Sequence, residues 1–434
     1  MFEIKGQYNT AKVFTDTGVE PEAYSQIQEF TNNAAFIGSN IAIMPDVHAG
    51  KGVPIGFTAT LTDKIIPNVI GVDIGCGVLA HPMHISEDDF RKKAGMFDAF
   101  VRSAIPLGLN VRQSPYPRKK MADLCRMYFG YKFYEWYGAL EEIAKATEQN
   151  YDYVLCSLGT LGGGNHFIEI DKEENGNLWL VVHSGSRNFG LKIANFHQKK
   201  AYDTLTKRDV SGMVEEIKRT KKGKEIEEAI KALKKEAILS VPRHLAYLEG
   251  DNAKLYLEHM KIAQEFAGVN RRIMMSVMLS FFDVGFDEAY DYESVHNYID
   301  LTHYRMIRKG AIAAKVLQPV LIPLTMKAGI ILGKGKGNKE WNYSAPHGAG
   351  RKMSRTKAKA ELKLEDYRKE MNESGIWTSS VSQDTLDEAP GAYKDPKEII
   401  DSIAETVDIE QILTPVYNLK AGEEEDRGKT ISNT

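Results

Sequence analysis

Hydrophobic residues between positions 40 and 80 fall in short β-branched runs broken by glycine, at 41–44, 56–61 and 69–73. This pattern predicts strands separated by turns at 46–50 and 75–77. From 87 to 150 the period changes: Phe129, Phe133, Trp136, Leu140 and Ile143 recur three and four apart, as one face of a helix does. Strands are expected again at 153–156 and 179–183. Residues 207–238 are dense in Lys and Glu over a Leu/Ile stripe and read as a charged helical hairpin with a solvated face. A long helix over 244–282 puts Met260, Met274, Met275 and Met278 into core packing. Beyond 292 strands are expected at 320–324 and 330–332 and a helix over 352–372, and the polar stretch from 422 onward reads as a frayed end.

Composition narrows the class. With 434 residues, 43% hydrophobic and 26% charged, the chain has enough apolar material for a substantial core. A formal net charge of −3 excludes coating of nucleic acid by bulk positive charge, so any RNA site has to be a local basic patch. No run approaches the ~18–20 apolar residues of a membrane-spanning helix, and residues 1–10 are polar, unlike a secretion signal. A cytoplasmic protein is expected, in keeping with Cys76, Cys125 and Cys156, an odd number that makes no disulfide framework.

Several polar residues sit beside small ones in these patterns. Asp73 and Cys76 lie three apart in a glycine-flanked turn, where they could ligate a cation or merely cap local amides. His166 follows Gly162-Gly163-Gly164-Asn165, with Glu169 close behind, and the spacing does not match a dinucleotide-binding fingerprint. His183 ends an apolar run and is followed by two serines and Arg187. His296 and His347 are likewise set among small or polar neighbours. A lone histidine in such a place is usually structural, but Asp73, Cys76, His166, His183 and His296 together form a mixed O, S and N set suited to manganese, iron, cobalt or zinc. His48, in the turn after Asp46, could orient another site residue. His81, His84, His197, His244, His259 and His303 lack such flanks and read as ordinary.

In order along the chain, PDVHAGKG at 45–52, VDIGCG at 72–77, LGTLGGGNHF at 158–167, HSGSR at 183–187, HN at 296–297 and SAPHGAGRKMSR at 344–355 resemble the RtcB RNA ligase family. The resemblance implies an unusual α/β fold: one large domain over 1–434 with helical insertions, the main one at 190–282. It implies that Asp73, Cys76, His166, His183 and His296 bind a pair of manganese ions bridged by the Cys76 thiolate. Asn165, Glu169, Asn297, Thr325, Gly348, Ala349, Gly350 and Lys420 would line a guanylate pocket. His347 would become guanylated by GTP with Asp46 holding its second nitrogen, and Arg187, Arg351, Lys352 and Arg355 would hold RNA phosphates. The implied reaction joins an RNA 3′-phosphate or 2′,3′-cyclic phosphate end to a 5′-hydroxyl end, in tRNA splicing or RNA repair.

Two departures stand out. Where the family typically carries a serine that contacts the guanylate, the matching residue here is Ile330, which has no hydroxyl to offer. Lys420 is followed by a further polar tail rather than by the chain end. The competing readings are a metal-dependent phosphoesterase acting on RNA ends, which would not need His347, and a non-catalytic RNA-binding paralogue, in which metal ligands would be lost. The sequence does not speak to oligomeric state.

Overall fold

A computed structural model describes residues 1–15, 18–236, 241–302 and 304–422. It is a single α/β domain built around a strongly curved sheet. In spatial order that sheet runs Pro319–Pro323, Ile330–Gly335, Val407–Lys420, Phe167–Lys172, Leu178–Ser184, Gly77–Pro82 and Tyr292–Val295, each pair antiparallel. The Leu321 N–H donates to Ser294 Oγ across the two outermost strands at 2.9 Å, so the sheet closes almost into a barrel.

The strand Leu178–Ser184 is buried along its whole length because it is covered on both faces. Leu180 and Val182 face outward onto the long helix Gly250–Ser280, where Met274, Met275 and Met278 complete the layer with Phe90 and Phe97. Trp179 and Val181 face inward with Val78, Leu321, Ile330, Leu332 and Leu413. Period-two alternation thus sorts each strand between an outer helical layer and a barrel interior.

A second, six-stranded sheet packs alongside, in the order Phe2–Lys5, Thr10–Val13, Ile41–His48, Ile55–Thr60, Met306–Lys309 and Asn297–Asp300. It shares its core, including Phe30, Ile43, Phe57 and Ile307, with Tyr256, Met260 and Phe266 of the long helix. The lysine- and glutamate-rich stretch forms the arms Arg187–Thr220 and Lys224–Glu236, as its periodicity predicts. Residues 237–238 of that stretch and 423–434 of the polar end lie outside the described residues. Among the described residues, no helix is long and apolar enough to cross a membrane.

Four local expectations are corrected. Residues 151–156 form a helix and not a strand, because Asn150 caps it, its side chain accepting from the Tyr153 N–H. Residues 67–70 form a 3-10 turn with Pro67 at its first position. Strand Ile41–His48 runs through the expected turn as far as His48, after a register shift beyond Ile43. The helix expected over 352–372 is two, Arg355–Glu361 and Leu364–Glu373, parted where Leu362 turns extended.

Ile330 is fully buried inside the barrel. Ile330→Ser should therefore lower unfolding stability by ~2–5 kcal/mol, the range for deleting a buried aliphatic side chain. A denaturant midpoint equal to that of the parent protein would contradict this placement.

Candidate functional site

The open end of the barrel meets the six-stranded sheet at a cleft of about 580 Å³. Strand Leu178–Ser184 delivers His183 at its end, paired with Phe167 across the ladder. The turn before strand Gly77–Pro82 brings Asp73 and Cys76, and His296 follows strand Tyr292–Val295. The long helix braces these pieces from behind. Arg271 Nη1 donates to Gly75 O (2.9 Å) and Ser184 O (2.7 Å), and the Asn270 side chain accepts from the Gly159 and Thr160 amides (2.7 and 3.0 Å).

The donor atoms converge. Cys76 Sγ lies 3.4 Å from His166 Nε2 and 3.3 Å from His183 Nε2, His183 Nε2 lies 3.4 Å from His296 Nε2, and His166 Nε2 lies 3.0 Å from Asp73 Oδ2. Ligands ~2.1 Å from a common ion stand ~3.4 Å apart at tetrahedral angles, so this spacing fits a metal centre. His166 Nδ1 is held at 2.9 Å from Leu161 O, which leaves Nε2 free to ligate. The buried Nδ1 atoms of His183 and His296 have no hydrogen-bond partner.

Burial and the neighbouring imidazoles push His183 and His296 well below the ordinary histidine range, which keeps both rings neutral. Burial and the Asp73 charge push the Cys76 thiol up, a bias that a bound cation would reverse. For Asp73, burial opposes ionisation most strongly, but the hydrogen bonds from His166 and Cys76 and the charges of His166 and Arg187 together outweigh it, and the carboxyl stays below its ordinary range. Cys76, His166 and His183 therefore can hold a metal ion, and Asp73 and His296 adjoin them.

His347 stands beside this cluster, its ring centroid 4.8 Å from that of His296. The fully buried Asp46 accepts from its backbone N–H (3.1 Å), and Asp46 Oδ2 lies 2.6 Å from Nδ1. A carboxylate so placed binds Nδ1–H and leaves the Nε2 lone pair for the cleft. Asp46 turns inward where strand Ile41–His48 departs from regular register after Ile43, next to Pro45, which has no N–H to give to a ladder. Gly350 makes the approach possible: its φ is +74°, and a Cβ there would come within 2.5 Å of Asp46 O. Lys394 Nζ donates to Pro45 O and Val47 O, both at 3.0 Å, and fixes the same segment.

Farther along the cleft, Glu169 is buried, accepts from Asn418 Nδ2 and is pushed up to about 7 by burial, against the pull of Lys420. Asp171, two residues on and fully buried with neither oxygen paired, is pushed up by burial and by Glu169. Lys420 Nζ donates to Glu388 at 3.2 Å. Glu388 also takes Arg351 (3.2 Å), Arg355 and the Tyr393 hydroxyl; burial works to raise its pKa, but the three cations bring it down to about 2.

Most of the expected residues line this one cleft: Asp73, Cys76, Asn165, Glu169, His183, His296, Asn297, Thr325, His347, Gly348, Ala349, Gly350, Arg351, Arg355 and Lys420. Asp46 and His166 stand directly behind it. Arg187 and Lys352 do not line it: the Arg187 guanidinium turns back onto Thr160 Oγ1 (3.0 Å) and Gly108 O. Arg351 and Arg355 reach the cleft with their guanidiniums engaged by Asp387 and Glu388. The Asn297 amide is taken up by Asp73 O and the Gly310 N–H, so it braces the Asp73 turn. Ile330 faces the barrel interior and not the cleft, where Thr325 carries the nearby hydroxyl.

Sequence reasoning missed Lys309, Glu388 and Tyr393, which all line the cleft. Lys309 opposes Asn297 in register, and its amine, pulled down by burial, senses the charges of Asp73 and Cys76. No local pattern marked it, and Glu388 is one acid in a polar stretch. His197 and His259, which lack small-residue flanks, are a buried pair 3.0 Å apart between two helices outside the cleft.

A profile of the family described as tRNA-splicing ligase RtcB matches residues 26–421. The chain is similar to the RNA-splicing ligase RtcB of Escherichia coli (strain K12), at 31% identity over 447 aligned residues covering 96% of this chain and 99% of that protein. It is similar as well to the tRNA-splicing ligase RtcB of Aeropyrum pernix, at 28% identity over 81% of this chain and 82% of that protein, and to that of Thermococcus kodakarensis, at 28% over 84% and 83%.

Cys76→Ala and His183→Ala should each purify with less bound metal, measured by elemental analysis, because each removes a converging donor. Cys125→Ser and Cys156→Ser should keep the parent content, since neither thiol reaches the cluster. Equal metal in Cys76→Ala and the parent would rule out this centre.

Proposed function

Since the chain belongs to the tRNA-splicing ligase RtcB family, an RNA ligase family, we propose that it joins an RNA 3′-phosphate or 2′,3′-cyclic phosphate end to a 5′-hydroxyl end, with GTP as co-substrate and manganese as its metal. The observation that carries this reading is the Asp46–His347 pair beside the donor cluster, since hydrolysis of a phosphoester would have no use for a second, carboxylate-oriented imidazole.

In the proposed reaction, neutral Nε2 of His347 attacks the α-phosphorus of GTP. A P–N bond forms, the bond to the β-phosphate bridging oxygen breaks, and pyrophosphate leaves with the electron pair. An oxygen of the RNA 3′-phosphate then attacks the same phosphorus, returning the pair to Nε2 and producing an RNA 3′-guanylate. The 5′-hydroxyl oxygen attacks the RNA 3′-phosphorus, GMP departs, and the hydroxyl proton passes to solvent or the leaving phosphate. Ions held by Asp73, Cys76, His166, His183 and His296 would supply Lewis-acid charge neutralisation at the phosphate oxygens. Asp46 keeps the proton on Nδ1 throughout, so that Nε2 is the reacting atom. Glu169 accepts from the N–H edge of guanine and Lys420 donates to its carbonyl, while Glu388 holds Lys420 in place.

The decisive test is incubation with α-labelled GTP and manganese, followed by a denaturing gel. The parent protein should take a covalent label and His347→Ala should take none while retaining its metal. Asp46→Asn should slow labelling by ~10²-fold or more, because the ring loses its acceptor. A label that persists on His347→Ala would remove the nucleophile assignment and bring forward His48, which also faces the cleft.

Guanine offers donors to Glu169, so only its ionised form accepts both. With the Glu169 pKa near 7 and Lys420 as the charge beside it, the apparent KM for GTP should fall as pH rises through about 7. Glu169→Gln should flatten that dependence, and an unchanged pH profile in this variant would exclude the assigned role.

A further inference from the structure

The low net charge of the chain requires any RNA-binding surface to be local, and three of the cleft's cations, Arg351, Arg355 and Lys420, are already engaged by acids. Outside the cleft, residues 112–132 form one basic segment, as residues 218–224 do on the helical hairpin. Between residues 112 and 132 stand Arg112, Arg118, Lys119, Lys120, Arg126 and Lys132 against a single acid, Asp123. Arg112 is half-buried and the rest are exposed. Aromatic rings are interleaved with these charges: Tyr131 is 86% exposed and Tyr134 56%, and the Arg118 guanidinium lies over Tyr134 (4.7 Å) and Tyr137 (4.4 Å). Exposed rings among cations are what single-stranded nucleic acid stacks on.

The basic segment is continuous with a groove of about 740 Å³ lined by Arg102, Asn110, Arg112 and Gln113 and, among the described residues, by no acid. Arg102 is tied to Asp98 at 3.1 Å, but Arg112 has its Nε buried without a partner. The loop bearing this groove is stitched to the loop that carries the site. Gly108 N–H donates to Gly162 O and Leu161 N–H donates to Pro106 O, both at 3.0 Å, and Leu161 O is the acceptor that holds His166. Gly162, whose φ is +94°, lets Arg187 and His166 pack directly against this junction, since a Cβ there would meet Arg187 Nη1 at 2.0 Å and His166 Nδ1 at 2.6 Å. Among the acids around the patch, Asp123 and Glu135 are exposed, Glu265 feels the charge of Lys132, Glu141 shares Tyr151 as a neighbour with Arg118 and Asp152 shares Cys156 with Arg112, and Glu288, which accepts the Met127 N–H, is paired with Arg272.

We propose that this groove and the basic, tyrosine-bearing surface of residues 112–134 form a second RNA-binding surface, which holds single-stranded RNA by its phosphates and by base stacking as the strand leaves the cleft. The inference rests on the RNA-ligase reading and adds a strand path to it.

The test uses the full chain with Lys119→Glu/Lys120→Glu and, separately, Tyr131→Ala, all exposed positions away from the cleft. Binding is measured on a single-stranded RNA of ~20 nucleotides, longer than the ~4–16 nucleotides one such site occupies. At ~0.1 M salt the charge-reversed variant should bind about tenfold or more weakly, with the slope of log affinity against log salt reduced by ~0.7 for each phosphate that the variant no longer neutralises. Tyr131→Ala should weaken binding with the slope unchanged. Lys221→Glu/Lys222→Glu, which carries the same charge change on the helical hairpin, should bind as the parent does. RNA affinity and slope unchanged in Lys119→Glu/Lys120→Glu, or an equal loss in the hairpin control, would overturn the proposal. Labelling by GTP should be unaffected in all these variants; its absence from the parent would defeat the ligase reading, while the RNA measurement would still decide the surface.

Discussion

Lone pairs crowded together in a dry place repel one another, and that constraint governs the centre of this molecule. Three imidazoles, a thiol and a carboxylate meet within hydrogen-bonding distance at the end of a barrel, where burial penalises charge. Such a cluster keeps its shape only if the backbone around it is held rigidly. The long helix meets that need from inside the fold, with Asn270 clamping the loop at 159–160 and Arg271 clamping the turn at Gly75 to the strand end at Ser184. Arg271 is itself fully buried and can stay charged there because Glu293 opposes it, a carboxylate that burial would raise but that Arg272 and Arg271 hold down to about 2.

A second charge balance sits at the other side of the cleft. Glu388 gathers Lys420, Arg351 and Arg355, so one buried anion places three cations. The two balances differ in kind. At the Cys76, His166 and His183 cluster the donors could take up a cation, and around Glu388 the positive charge is already matched. A highly charged nucleotide entering the cleft would therefore meet preorganised partners at one end and an electrostatic demand at the other.

Much of the site was legible in sequence because its residues come in short motifs flanked by glycine and serine, where side-chain chemistry and tight backbone coincide. Asp73 with Cys76, His166 after its glycines and His347 before Gly348 are of this kind. Residues delivered by regular elements were not legible. Lys309 is one lysine on a strand, marked only by its register opposite Asn297, and Glu388 gains its meaning from partners 32 to 37 positions away in the chain. The misread elements share a cause as well: the strands expected at 69–73 and 153–156 gave way to a 3-10 turn begun by Pro67 and a helix capped by Asn150, one local interaction outweighing propensity. Arg351 and Arg355 show the limit of reading charge from sequence, since a cation beside a phosphate-handling motif can be committed to a buried acid that the motif does not reveal.

The Asp46–His347 contact joins positions 301 residues apart, and it runs from strand Ile41–His48 of the six-stranded sheet to the residue after Ser344–Pro346, which forms a separate two-stranded sheet with Ala311–Ala313. A polypeptide emerging from the ribosome has therefore made its carboxylate long before its imidazole, and the two meet only when both sheets have formed and docked. Unfinished or clipped chains would carry every motif up to their break and still lack an oriented histidine, so this one contact marks completed folding.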